Sequence, residues 1–510
     1  MPLTGDSHET SRRVHDQPVN WRVAAACALG LAIAVSLLVL AVIIADPPGQ
    51  KGPGPKQPLT PCSLPGLGVA ARCGTIEVRE VPGNSTGRGL PIRVVVVPAA
   101  VTTPLPDPML FLAGGPGQGA ASLAGRLWHR LSSLRSMRDL IFVDQRGTGG
   151  SNPLTCPVPD ATTVLMGRMF DVSRLATCRD QLAQRADLHH YTTAAAAADY
   201  EAVLDALNYR QVNVWGVSYG SRLGLELARR MPGRVRTLIL EGAVPNSLAW
   251  PTYGARDADG ALEALVADCE ADGACAASYP TLRRDVDAAF ARLGKQPVLT
   301  PVFDPHSRTT TSVPFGHSDL AYATRGLLYG EEALTLPRLF RAAASGRFDG
   351  FAQAYVTRAR TLGEQVATGV HLGVYCAEDV PYADMARARQ LAAGTRLGTY
   401  LLDEYAAACK VWPRGLVPQA FHDPVRSDVP TLILAGRRDP VTPPWTAEAV
   451  ANTLTRVRVL TWHAGGHGFD GLATPSCKLS MISDFVTRAR PDEGPTTCMA
   501  HERRLPFVSE

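Results

Sequence analysis

At 510 residues the chain exceeds one simple domain and is long enough to bury a large core. Its 51 basic and 47 acidic residues leave a net charge of +4, and no basic cluster interleaved with aromatics occurs, so nothing points to nucleic acid as a partner. Arginine supplies 46 of the basic residues against 5 lysines, a balance expected of a GC-rich bacterial coding sequence rather than of a functional basic surface, and no repeat at solenoid periods is visible.

Residues 1–22 read as a cytoplasmic tail, because Arg12, Arg13 and Arg22 precede an apolar run and hold that end inside. Residues 23–45 are almost unbroken in their apolar character and would span roughly 34 Å as a helix, enough for a bilayer. The apolar region of a signal peptide is usually about 7–15 residues, so a longer stretch predicts a transmembrane signal anchor. The expectation is a single-pass cell-membrane protein with its body outside the cytoplasm, the alternative being cleavage after Ala45 and secretion. Cys27 opens the apolar run instead of following it, which argues against a lipoprotein signal. Residues 46–66 are rich in Pro and Gly and read as an extended linker.

From 67 to 250 strand patterns alternate with helical ones, as a largely parallel sheet with covering helices demands. The run Pro108–Ala113 is a strand entering Gly114-Gly115-Pro116-Gly117, whose bare backbone amides suit an anion-binding nest. The Gly115 N–H is the chosen donor. Residues 139–143 form another strand, leading into Asp144 and Arg146, which read as braces of the site's floor. The apolar run 212–217 then enters Gly216-Val-Ser218-Tyr219-Gly220, followed by a helical pattern. Strand, Gly-x-Ser-x-Gly turn and helix together form the context of a nucleophile elbow. The elbow exposes the Ser218 hydroxyl and sets the Tyr219 N–H at a helix start, where it can hold an oxyanion.

Residues 251–425 turn helical and, lying between Ser218 and the next strand runs, predict a helical lid over the site. The sheet resumes in 426–510. Residues 430–435 are a buried-strand run ending just before Asp439, and residues 458–462 lead into Ala464-Gly-Gly-His467-Gly. Ser218, Asp439 and His467 thus follow the chain order nucleophile, acid, base, each just after a strand. Asp439 would accept the Nδ1 proton of His467 and steady the imidazolium formed as Ser218 attacks. Asp470 and His463 are the nearest rivals and fit the pattern less well.

Of 11 cysteines, Cys27 lies in the apolar run and ten follow it. An even number in an exported chain reads as disulfides. Proximity along the chain pairs them Cys62–Cys73, Cys156–Cys178, Cys269–Cys275, Cys376–Cys409 and Cys477–Cys498. No Cys-x-x-Cys pair or His cluster suggests a metal, and neither metal nor organic cofactor is expected.

Gly114-Gly-Pro-Gly, Asp144-Gln-Arg-Gly-Thr-Gly, Tyr191-Thr-Thr, Gly216-Val-Ser-Tyr-Gly-Ser-Arg-Leu and Gly436-Arg-Arg-Asp-Pro-Val-Thr-Pro together resemble the prolyl iminopeptidase and tripeptidyl aminopeptidase group. The resemblance runs from about residue 70 to the C-terminus, where the tail around Cys498 and Arg503–Phe507 is similar to that of the tripeptidyl branch. One departure is Ala113, where many members carry His. The resemblance implies the α/β-hydrolase fold: a mostly parallel sheet, helices on both faces and an inserted helical lid. It also implies a serine exopeptidase acting on peptide N-termini. Members use lid glutamates to bind the substrate ammonium, which makes Glu378, in the acidic segment Val374–Asp379 beside Cys376, the candidate substrate-binding residue. A carboxylesterase or lipase on the same triad is one alternative. An inactive binding protein of this fold is another, and the complete triad argues against it.

Overall fold

The computed structural model describes residues 59–157, 170–304, 307–468, 472–474 and 476–509. The predicted tail, the apolar span 23–45 and most of the predicted linker lie outside them. No described helix is long and apolar enough to cross a membrane.

Nine strands form one sheet: β1 (Thr60–Cys62), β2 (Ala71–Arg79), β3 (Gly89–Val97), β4 (Met109–Leu112), β5 (Leu140–Val143), β6 (Val212–Val217), β7 (Val235–Glu241), β10 (Thr431–Gly436) and β11 (Val457–Trp462). Their order is β1-β2-β3-β5-β4-β6-β7-β10-β11. The first four in this order pair antiparallel, and from β5 onward every pairing is parallel. Every residue of β4, β5 and β10 is buried, as strands covered on both faces must be. Alternate side chains feed two cores. Leu110, Val214, Leu240 and Ile433 pack with Tyr200 and Leu223 of the helices Thr193–Ala206 and Tyr219–Arg230. Phe111, Trp215, Ile239 and Leu434 pack with Ala124 and Phe485 of the helices Ala120–Leu131 and Ser476–Arg488 on the other face.

Two expectations need correction. The predicted linker does not run to residue 66: β1 pairs with β2, and Leu67 is fully buried. The Cys62–Cys73 bridge fastens this end to the sheet. Nor is the segment between β7 and β10 all helical, since β8 (Val298–Asp304) and β9 (Thr309–Phe315) form an antiparallel hairpin there. The alternating burial of β8 follows the period-2 pattern of its sequence, which its short length hid among helices. The rest of this lid is helical, and helices and hairpin share one core in which Leu262, Phe290, Phe315, Phe340 and Phe351 are buried together. The ten cysteines beyond Cys27 form the five bridges expected from proximity.

Candidate active site

β6 runs into Ser218, whose φ of 57° and ψ of −124° are strained for a residue with a side chain. A bond from its N–H to the Glu241 carbonyl at 2.8 Å, at the end of β7, holds the turn. Gly216 is obligatory: a Cβ there would stand 2.2 Å from the Gly220 carbonyl oxygen. The sharp turn leaves Ser218 facing a cavity of about 800 Å³ and Tyr219 as the first residue of its helix. A first-turn N–H has no acceptor within its helix, so the Tyr219 amide is available to a ligand oxygen.

Asp439 follows β10 and is almost fully buried. Its Oδ1 accepts from the Val441 and Thr442 amides, both at 2.8 Å. Its Oδ2 accepts from the Thr442 hydroxyl at 2.6 Å and from His467 Nδ1 at 2.7 Å. Burial alone would push this carboxyl up; the His467 charge and the bonds from His467 and Thr442 outweigh it and hold the pKa below the usual carboxylate range. With Nδ1–H given to Asp439, the imidazole presents Nε2 as its basic atom. His467 lines the same cavity as Ser218. Asp470 lies outside the described residues, and His463 is not among the residues lining the cavity.

Gly114 and Gly115 form part of the cavity wall. Their loop is clamped by the lid: the Ala367 N–H donates to the Gly117 carbonyl at 2.9 Å, and His371 Nδ1 meets the Pro116 carbonyl at 3.0 Å. Tyr405 occupies His371 Nε2 at 2.8 Å. A carbonyl only accepts, so Nδ1 carries a proton, and in the neutral ring Nε2 accepts from the Tyr405 hydroxyl. Burial depresses the His371 pKa to about 4, in keeping with that tautomer.

Comparison with known proteins agrees with this geometry. The model of the alpha/beta hydrolase fold matches residues 107–296, and that of TAP-like proteins matches 395–498. The chain is an α/β-hydrolase-fold serine hydrolase. It is similar to the serine protease Hip1 of Mycobacterium tuberculosis, 25% identical over 480 residues that cover 84% of this chain and 87% of that one. It is also similar to the tripeptidyl aminopeptidase of Streptomyces lividans, 24% identical over 434 residues and 78% of each chain. A shorter match, 28% identical over 146 residues, covers 28% of this chain and 36% of the proline iminopeptidase of Neisseria gonorrhoeae.

The hydrolase does not place Glu378 where the resemblance implied. Glu378 is fully buried and is not part of the cavity wall. Its carboxylate accepts from the Thr193 N–H at 2.6 Å and the Thr193 hydroxyl at 2.7 Å, with Arg222 at 3.7 Å. Burial pushes its pKa up to about 7. Asp379 is the one of the pair that lines the cavity, held by Arg222 through two bonds of 2.9 Å and by the Trp250 amide at 3.0 Å. Asp144 receives the Ala121 and Gly150 amides, and Arg146 pairs with Asp199, both as braces beneath the site. Sequence reasoning missed Thr442, His371 and the buried Lys478–Glu241 pair behind the elbow, at 2.7 Å. Thr442 was legible, standing three residues after Asp439 in an Asx turn; the others meet only through folding. Among the described residues no group of three or more His, Cys, Asp or Glu could hold a metal.

Proposed function

We propose that this hydrolase removes residues or short peptides from peptide N-termini through an acyl-enzyme on Ser218. Ser218 attacks the scissile carbonyl and His467 takes its proton, with Asp439 fixing the imidazole. The amides of Gly115 and Tyr219 stabilise the oxyanion. His467 then protonates the leaving amine, and water releases the acyl group by the reverse path. The observation that carries this reading is the Asp439–His467 pair, at 2.7 Å, opening with Ser218 onto one lid-covered cavity. The names of the relatives support peptides as substrates, and the exopeptidase reading is taken from them.

Two experiments test it. A fluorophosphonate probe should label Ser218, and the label should vanish in Ser218→Ala; an unlabelled native protein would point to the inactive binding protein. Aminoacyl- and tripeptidyl-coumarins should be cleaved, and N-terminal acetylation should suppress cleavage. Turnover of short p-nitrophenyl esters with none of any peptide would favour a carboxylesterase or lipase.

We propose further that the protein is exported and tethered by residues 23–45, or secreted after their removal. Five disulfides in the body support an oxidising compartment. Carbonate extraction of membranes tests the tether: release of the protein into the wash would sink it.

A further inference from the structure

The cavity wall carries positive charge that no described residue neutralises. Three carboxylates reach this wall, and each has a partner. Asp379 is held by Arg222, Glu241 by Lys478, and Asp171 caps its own helix through the Ser173 and Arg174 amides. Two arginines reach it with none: among the described residues, no carboxylate lies within ion-pair distance of Arg325 or Arg358. Their neighbours are aromatic. The Arg325 guanidinium lies 4.9 Å from the Trp250 ring centre and 5.1 Å from that of Tyr329, and its Nη2 donates to the Tyr329 hydroxyl at 2.7 Å. The Arg358 guanidinium lies 4.5 Å from the same Tyr329 ring. The buried Nε of Arg325 has no hydrogen-bond partner among the described residues.

Cation–π contacts orient these guanidinium groups, yet they leave two like charges against one Tyr329 ring with hydrogen-bond donors unused. Such an arrangement is costly in a partly dehydrated cavity unless an anion completes it. Placement of Arg358 is also specific. A Cβ on Gly326 would come 3.0 Å from its Cδ and 3.2 Å from its Nε, so the missing side chain at 326 makes room for the arginine against the helix His317–Leu327. Tyr329 links the pair to the chemistry: its ring meets that of His467 edge-on, with centres 5.2 Å apart. The two cations therefore stand one aromatic ring away from the base of the triad.

We propose that Arg325 and Arg358 bind a carboxylate of the substrate, so that this hydrolase selects peptides bearing negative charge near the scissile bond. The carboxylate is that of an acidic side chain or the C-terminus of a short peptide. Planar guanidinium groups suit either through paired N–H···O bonds. This deepens the exopeptidase reading and rests on it only for the class of molecule that carries the charge.

The test uses the intact protein and two substrate arms. One compares peptides that differ only as Glu against Gln next to the scissile bond, with the C-terminus amidated. The other compares neutral peptides as free acid and as amide. In at least one arm the wild type should favour the charged member by roughly ten-fold or more in kcat/KM, the value of a charged hydrogen bond. Arm one alone identifies a side-chain carboxylate; arm two alone identifies the C-terminus. In Arg358→Gln that preference should collapse toward unity, and in Arg325→Gln as well. Should either variant fail to fold, binding of the same pairs to Ser218→Ala by calorimetry replaces it, the charged member again binding at least ten-fold more tightly. Equal kcat/KM within both pairs overturns the anion site while leaving the exopeptidase reading intact. An acid preference seen only among esters, with no peptide cleaved, supports the anion site and overturns the exopeptidase reading instead.

Discussion

The sheet and the lid bring side chains to the same cavity by opposite routes. In the sheet, each functional group stands just beyond the carboxyl end of a parallel strand. Ser218 follows β6, Asp439 follows β10 and His467 follows β11, and the register of adjacent strands brings their ends together. The ladder fixes those positions, and single substitutions there should damage chemistry without moving the fold. In the lid, Trp250, Arg325 with Tyr329, Arg358, His371 and Tyr405 come from five segments that converge only through packing. Charge, aromatic stacking and two disulfides take the place of the ladder. Changes there should alter binding, stability and pH response more than the chemical step.

The sharpest break of this contrast is Ser218→Ala. Turnover should fall roughly 10⁴-fold or more with an unchanged melting temperature. A variant keeping a tenth of wild-type activity would remove Ser218 from the mechanism. Asp439→Asn comes next. It keeps shape but offers His467 an amide, so kcat should drop on the order of 10³–10⁴-fold. Steady-state kinetics at saturating substrate checks this, and a change confined to KM would contradict it.

On the lid side the largest effect should come from opening Cys376–Cys409. The bridge joins the turn Tyr375–Asp379 to the helix Tyr400–Val411 across 33 residues. The double Ser variant should lose about 2–4 kcal/mol in chemical denaturation. Loss below a few tenths would mean that packing alone holds this turn.

A smaller effect sharpens the comparison through pH. Glu378 has a folded pKa raised to about 7 from an ordinary 4.5, so it binds its proton more tightly when folded. Its stabilising contribution is fully present below 4.5 and is lost as pH rises through about 7. His371 is depressed to about 4 from an ordinary 6.5 and works in reverse: its contribution is complete above 6.5 and is lost as pH falls toward 4. The two slopes oppose one another within one window. Relative to wild type, Glu378→Gln should therefore gain stability as pH rises from 5 to 6.5, and His371→Gln should lose it. One full proton would give about 1.4 kcal/mol per pH unit. Parallel melting curves for all three proteins across that range would show that neither group titrates there. The smallest expected change is in the kinetics of Glu378→Gln, whose KM for free-amine peptides should stay within about two-fold, as that carboxylate does not reach the cavity. A ten-fold rise confined to free-amine peptides would return the amine-reading role to Glu378.

The legible part of this protein is what local chain chemistry dictates. A Gly-x-Ser-x-Gly turn between a buried strand and a helix has one sterically tolerable conformation, and it was readable from residues 212–228 alone. Asp439 and His467 were readable because a buried parallel strand must end in a loop on the ligand side of the sheet. The five bridges were readable because short loops between cysteines close easily. Glu378 was misplaced for an equally physical reason. Residues Tyr375–Asp379 form a single wide π turn that sets both carboxylates near Arg222, Glu378 tied to Thr193 and only Asp379 taking the close Arg222 bonds and reaching the cavity. Spacing along the sequence carries no information about that arrangement.

Sequence by itself thus determined the alternation of strands and helices, the order of the triad and the cysteine pairs, since these follow from local backbone limits and from closeness along the chain, with separations of 6 to 33 residues for the bridges. Only the tertiary structure decided which lid charges find partners. Arg222 is neutralised by a carboxylate 157 residues away, whereas among the described residues Arg325 and Arg358 meet aromatic rings and the cavity with no carboxylate beside them. Pairing of a buried charge depends on which helices pack together and on how much water their contact excludes, and both are set by the whole chain.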